Sequence, residues 1–239
     1  MHYRTLLRRA LTEPALVRWL LGLIACNLVL IVLHTGYYYC VRHGLDAWPR
    51  DPRFSLDSNR GLGQLFSSAQ TLLLIGLLLQ LARQTREALY LAFAAIFLIV
   101  LIDDAFAVNQ PLGSLVVRAF GLVDLPRIEA ESLGEMAVYA MVALPLLGML
   151  AAAYARGAPE HRAAGLGFLA LLIALTFFAT VMDLVHLAFI NSFYASQLIL
   201  EVAEEGGELL CGSLALMLAL IRVCSPLPGR PMIGSSMAA

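Results

Sequence analysis

The chain contains no lysine; all 16 of its basic residues are arginine. That excludes a retinal-type Schiff base and every mechanism built on a lysine nucleophile. Cysteine is scarce: Cys26, Cys40, Cys211 and Cys224 form no Cys-x-x-Cys pair. Neither a disulfide framework nor a thiolate metal site is expected, and Cys26 and Cys211 read as small buried apolar residues. There is no Gly-x-Ser-x-Gly elbow, no phosphate loop and no His-Glu-x-x-His. Charged residues make up 14% of the chain and the net charge is −1. With no basic cluster, no nucleic-acid partner is expected.

What is abundant is apolar. The 239 residues are 60% hydrophobic, whereas a soluble domain is roughly half apolar and a quarter charged. The fold class is therefore all-α: a polytopic membrane protein whose residues 1–223 form one bundle, with the lipid bilayer as its first partner. Hydrophobic runs predict six spans at about 15–38, 63–81, 88–108, 131–154, 163–190 and 198–222, followed by a loose Pro/Gly/Ser-rich tail over 224–239. The first run is too long for a signal-peptide core and lacks a cleavage site. Tyr37-Tyr38-Tyr39 reads as an aromatic belt, with His34 in the same headgroup region. The Leu112–Val123 stretch reads as a short interfacial helix.

Six spans put both termini on one side. Arg4, Arg8, Arg9, Arg18, Arg83, Arg86, Arg156, Arg162, Arg222 and Arg230 then share that side, against Arg42, Arg50, Arg53, Arg60, Arg118 and Arg127. The bias predicts an inner-membrane protein with both termini cytoplasmic.

The stretch Glu201-Val-Ala-Glu-Glu-Gly-Gly-Glu208 sits at the mouth of the sixth span. Ionisable groups in a span are expensive and point to function. Glu204 and Glu208 share a helix face, and Gly206 and Gly207 let a neighbour come close. In the six-span topology Asp103, Asp104, Glu131, Glu135, Asp183 and His186 fall in the same outer layer, leaving the inner halves of the spans apolar. Glu131-Ser-Leu-Gly-Glu135 and Glu204-Glu-Gly-Gly-Glu208 share Glu-x-x-Gly-Glu. This predicts a tandem repeat of two-helix hairpins, with Glu135 falling on Glu208.

Facing carboxylates with one imidazole are what a dimetal centre in a four-helix bundle uses. All eight of these residues are candidate ligands for Fe, Mn or Zn; haem is not expected. Without a cation the carboxylates oppose one another's ionisation. The alternative is then shared protons, or pairing with Arg60, Arg118 or Arg127.

The Asp-Asp end of the third span, the Asp-x-x-His of the fifth and the Glu-Glu-Gly-Gly-Glu of the sixth together resemble a group of bacterial inner-membrane proteins. The resemblance implies no activity. In that group His-Glu follows the aspartates, where this chain has Asn109-Gln110, a departure that removes two potential ligands. Three readings follow: a metal-binding membrane protein, as an oxidase or hydrolase; a non-catalytic subunit that joins other membrane subunits or copies of itself; and a proton or cation transporter. Against the last, no polar path through the inner halves is visible.

Overall fold

The computed structural model describes residues 13–56, 58, 61–124, 129–182, 185 and 194–225. It is all-helical, with no strand among the described residues. Among the described residues seven α-helices follow in order: α1 (Pro14–Arg42), α2 (Leu62–Thr85), α3 (Ala88–Phe106), α4 (Asn109–Phe120), α5 (Ala130–Arg156), α6 (Pro159–Thr176) and α7 (Tyr194–Cys224). A 3-10 turn, Pro52–Phe54, interrupts the loop after α1, and α6 continues as a π-helical stretch, Phe177–Met182. All but α4 are long and apolar enough to cross a membrane. The expected spans are therefore present, and α4 is the short helix expected between the third and fourth.

The helices begin and stop for local reasons. Pro14 and Pro159 occupy first-turn positions, where a missing N–H costs nothing. Gly44 and Gly121, both at positive φ, end α1 and α4 in the left-handed conformation that glycine adopts freely. α1 runs a turn past its expected end, so the tyrosine belt lies within the helix.

Lipid explains the outward faces. Trp19, Val32, Phe106 and Phe120 are all more than half exposed and need no protein partner in hydrocarbon. The spans differ in how much they bury: 39% of the apolar window in α3 and α7, 11% in α6. α7 and α3 are thus the central helices. α7 packs on α1, α2 and α6; α3 packs on α2, α5 and α6; α4 lies along α5. The end of the bundle where α1 starts and α7 finishes is called inner here, and the opposite end outer. Tyr90, Phe93, Phe168, Leu74, Leu78 and Leu89 are fully buried in the inner half.

The six-span arrangement gives a direct test. Cys40 is buried, which blocks a label there, whereas His43, just past the end of α1, is exposed. In a protein lacking Cys26, Cys40 and Cys211, His43→Cys and the native Cys224 are expected to react with an impermeant thiol reagent from opposite faces of the membrane. Labelling of both from one face would remove the arrangement.

Candidate functional site

The expected outer layer resolves into separate neighbourhoods. The first lies where α3 turns into α4. Ala107, at a φ of 48°, reverses the chain, so that α4 starts beside the aspartates. The Asp103 carboxylate accepts from the Asn109 backbone N–H at 2.9 Å and from the Tyr139 hydroxyl at 2.8 Å. An anion at a helix N-terminus is favoured by the unpaired N–H groups there. Asn109 Nδ2 donates to Tyr139 Oη at 2.8 Å and lies 3.4 Å from Glu135 Oε2. The asparagine that departs from the resembled motif is therefore a hydrogen-bonding hub. Tyr139 is four residues after Glu135, on the same helix face, and that spacing is the signal by which it was findable.

Asp104 turns the other way. Gln64 Nε2 donates to its backbone oxygen at 2.8 Å, and Ser68 Oγ donates to its carboxylate at 3.3 Å. Adjacent residues on a helix point about 100° apart, so two neighbouring aspartates serve two different neighbours. Glu131 is exposed, and so is Arg118. Arg60, Arg127, Asp183 and His186 lie outside the described residues.

The two Glu-x-x-Gly-Glu motifs have a packing explanation. A Cβ on Gly134 would collide with the Gly113 carbonyl oxygen of α4, and one on Gly207 with the Phe178 ring of the π-helical stretch. Each glycine receives a neighbouring element, but the neighbours differ: an α-helix in one case, an aromatic side chain in the other. π-helical turns are frequent at functional sites, and this one directly precedes Asp183 in the chain. Glu201, Glu204, Glu205 and Glu208 are all partly buried and all engaged in contacts.

His34 is fully buried rather than a belt residue. Its Nδ1 accepts from the Leu56 backbone N–H at 3.1 Å, so the loop after α1 dips into the bundle to reach it. That assigns the ring proton to Nε2, which faces Glu201 Oε1 at 3.5 Å. At that separation the pair attracts electrostatically without closing a good hydrogen bond. In this orientation Nε2 carries its proton toward Glu201 and offers no lone pair to a metal.

Deeper in, Asn27 of α1, Gln70 of α2 and Ser213 of α7 meet. Asn27 Nδ2 and Gln70 Nε2 both donate to Ser213 Oγ, at 3.0 and 2.7 Å. Neither Gln70 nor Ser213 stands out in sequence, because one sits near a span start and the other in an apolar run. Their contact lies near mid-depth, at the border of the almost wholly apolar inner halves. At the inner end Tyr90 Oη pairs with His161 Nδ1 at 2.9 Å and accepts from Arg222 at 3.2 Å. His161 is thus a buried first-turn residue of α6.

Among the described residues no three His, Cys, Asp or Glu side chains converge closely enough to hold a metal ion. Asp103 and Glu135 gather around Asn109 and Tyr139, whereas Glu201 faces His34. No family model, no curated protein and no solved structure matches this chain.

Proposed function

We propose that this multi-pass protein lies in an inner membrane with both termini cytoplasmic, and that it binds a divalent cation (Fe, Mn or Zn) at the acidic stretch of α7. What supports the reading is the partial burial of Glu201, Glu204, Glu205 and Glu208 on two turns of one helix. Carboxylates on adjacent turns of one helix, partly out of water, are stabilised in their charged form by a nearby cation. A cation from the outer solution is the simplest one, with Asp183 and His186 completing the ligand set from the chain that follows the π-helical turn. The proposed ligands are Glu204, Glu208, Asp183 and His186. Asp103, Asp104, Glu131 and Glu135 belong to the neighbourhoods already described and stand outside the proposed set.

Elemental analysis of detergent-purified protein tests this. Wild type is expected to carry about one divalent metal per chain, and Glu208→Ala and Asp183→Ala less than half of that. Only trace metal in wild type, or full occupancy in both variants, would overturn the reading.

A further inference from the structure

We propose that the seam between α1, α2 and α7 is a water-lined proton path, entered from the inner side beside Arg18 and ending at Glu201. Three buried polar side-chain atoms among the described residues lack a hydrogen-bond partner: Asn27 Oδ1, His34 Nε2 and Gln70 Oε1. All three lie on this one seam. Their residues are 5%, 0% and 3% exposed, respectively. Two of these atoms are acceptors and the third, Nε2, is a donor; unpaired polar atoms at membrane depth are costly, and buried water is the usual remedy where room exists. Room exists at the inner end: an open groove of about 620 Å³ between α1 and α2, with Trp19 and Leu73 exposed on its rim, reaches Gln70, whereas one water occupies roughly 30 Å³ of liquid. Arg18 and Trp19 stand at its inner mouth, Gly22 and Cys26 along its wall.

The side chains line up by helix geometry. Asn27 and His34 are seven residues apart on α1, two turns and about 10 Å along one face. The same face carries the buried Leu16 and Leu23. α7 runs antiparallel to α1, as the His34–Glu201 and Asn27–Ser213 contacts require. Glu205 and Glu208 lie between Glu201 and Ser213 in depth. His34 and Glu201 stand at the outer end of the path and Arg18 with Cys26 at the inner; Glu205 follows Glu201 by one helical turn. His34 cannot relay a proton through its ring, because Nδ1 is occupied by the Leu56 N–H. It positions Glu201, and water carries the proton onward. Each hop forms one O–H bond and breaks one, so no oxidant or co-reactant is needed. Gln70 Oε1 lies 3.1 Å from where a Cβ on Gly212 would stand; the glycine leaves space beside that unpaired oxygen.

This inference is independent of the metal reading, since metal content and proton flux are measured separately. Two measurements on full-length protein in lipid vesicles test it. In the first, Cys26 is the sole cysteine, with Cys40, Cys211 and Cys224 replaced by alanine. The charged, impermeant reagent methanethiosulfonate ethyltrimethylammonium is expected to modify Cys26 from the inner side only. Reaction with permeant N-ethylmaleimide alone would mean a lipid-filled cavity and overturn the path. In the second, vesicles hold a pH-sensitive dye and a potassium diffusion potential set by valinomycin. Wild type is expected to pass protons at least tenfold faster than protein-free vesicles, and Gln70→Leu, Asn27→Leu and Gly212→Ala to lose most of that excess. Wild-type flux equal to that of empty vesicles overturns the proposal whatever the variants do. So does full flux in Gly212→Ala, which adds one methyl group and keeps every hydrogen-bonding side chain.

Discussion

Gly134→Ala is expected to destabilise the detergent-solubilised protein by about 2–3 kcal/mol, the upper range for overpacking a tight contact. The added methyl group would strike the Gly113 carbonyl oxygen and lie 2.8 Å from Val117 Cγ2. Backbone cannot step aside as a flexible side chain can. Nor can α4 simply shift, because a Cβ site on Gly113 already stands 2.9 Å from the Glu135 backbone N. The two helices touch backbone to backbone, as small-residue crossings in membranes do. Displacing α4 also pulls Asn109 away from Tyr139 and Glu135. The same change at Gly148, on the same helix, meets nothing within 4 Å. There alanine is expected to be neutral, or to stabilise by up to about 1 kcal/mol through its better helix propensity. Thermal or denaturant unfolding of the pair decides the matter. Equal effects at 134 and 148 would mean that α4 does not press on α5 in this way.

His34→Ala is the second large effect. It strips the buried Leu56 N–H of its acceptor, a loss of about 1–3 kcal/mol, and leaves a void where a fully buried ring stood. The sum is expected to reach about 3–4 kcal/mol, within the range for emptying a core position. His34→Gln is the informative partner. Its side-chain oxygen accepts from Leu56 while its amide N–H₂ donates toward Glu201, so most of the stability should return. A further readout is the loop after α1. With its anchor gone, limited proteolysis between His43 and Gly61 is expected to speed up in the alanine variant and not in the glutamine one. If alanine and glutamine behave alike, the ring is filling space and the two polar contacts contribute nothing.

The sequence by itself determined the class of the molecule. An apolar run of about twenty residues can meet lipid only as a helix, because no water is there to satisfy the backbone. Six such runs, bounded by Arg, Pro and Gly, therefore read directly as spans, and the observed ends fall within a few residues of the expected ones; the expected end of the fifth span, at 190, lies outside the described residues. The amphipathic α4 was legible for the same reason: its apolar and polar positions alternate with helical period.

Which faces meet was decided only by the tertiary structure. Periodicity tells that Asp103 and Asp104 leave their helix in different directions, but not that one finds α5 and the other α2. The shared Glu-x-x-Gly-Glu suggested duplicated chemistry, whereas its glycines answer to local crowding from α4 and from Phe178. His34 read as a headgroup residue because depth along α1 is all that sequence provides. A loop twenty residues further on folds back and buries it. Gln70 and Ser213 were silent because a lone polar residue in a span has no local signal; its meaning comes from the helix opposite. In a bilayer, hydropathy fixes how deep a residue sits, while packing of small residues and the closing of polar contacts fix which neighbour it faces.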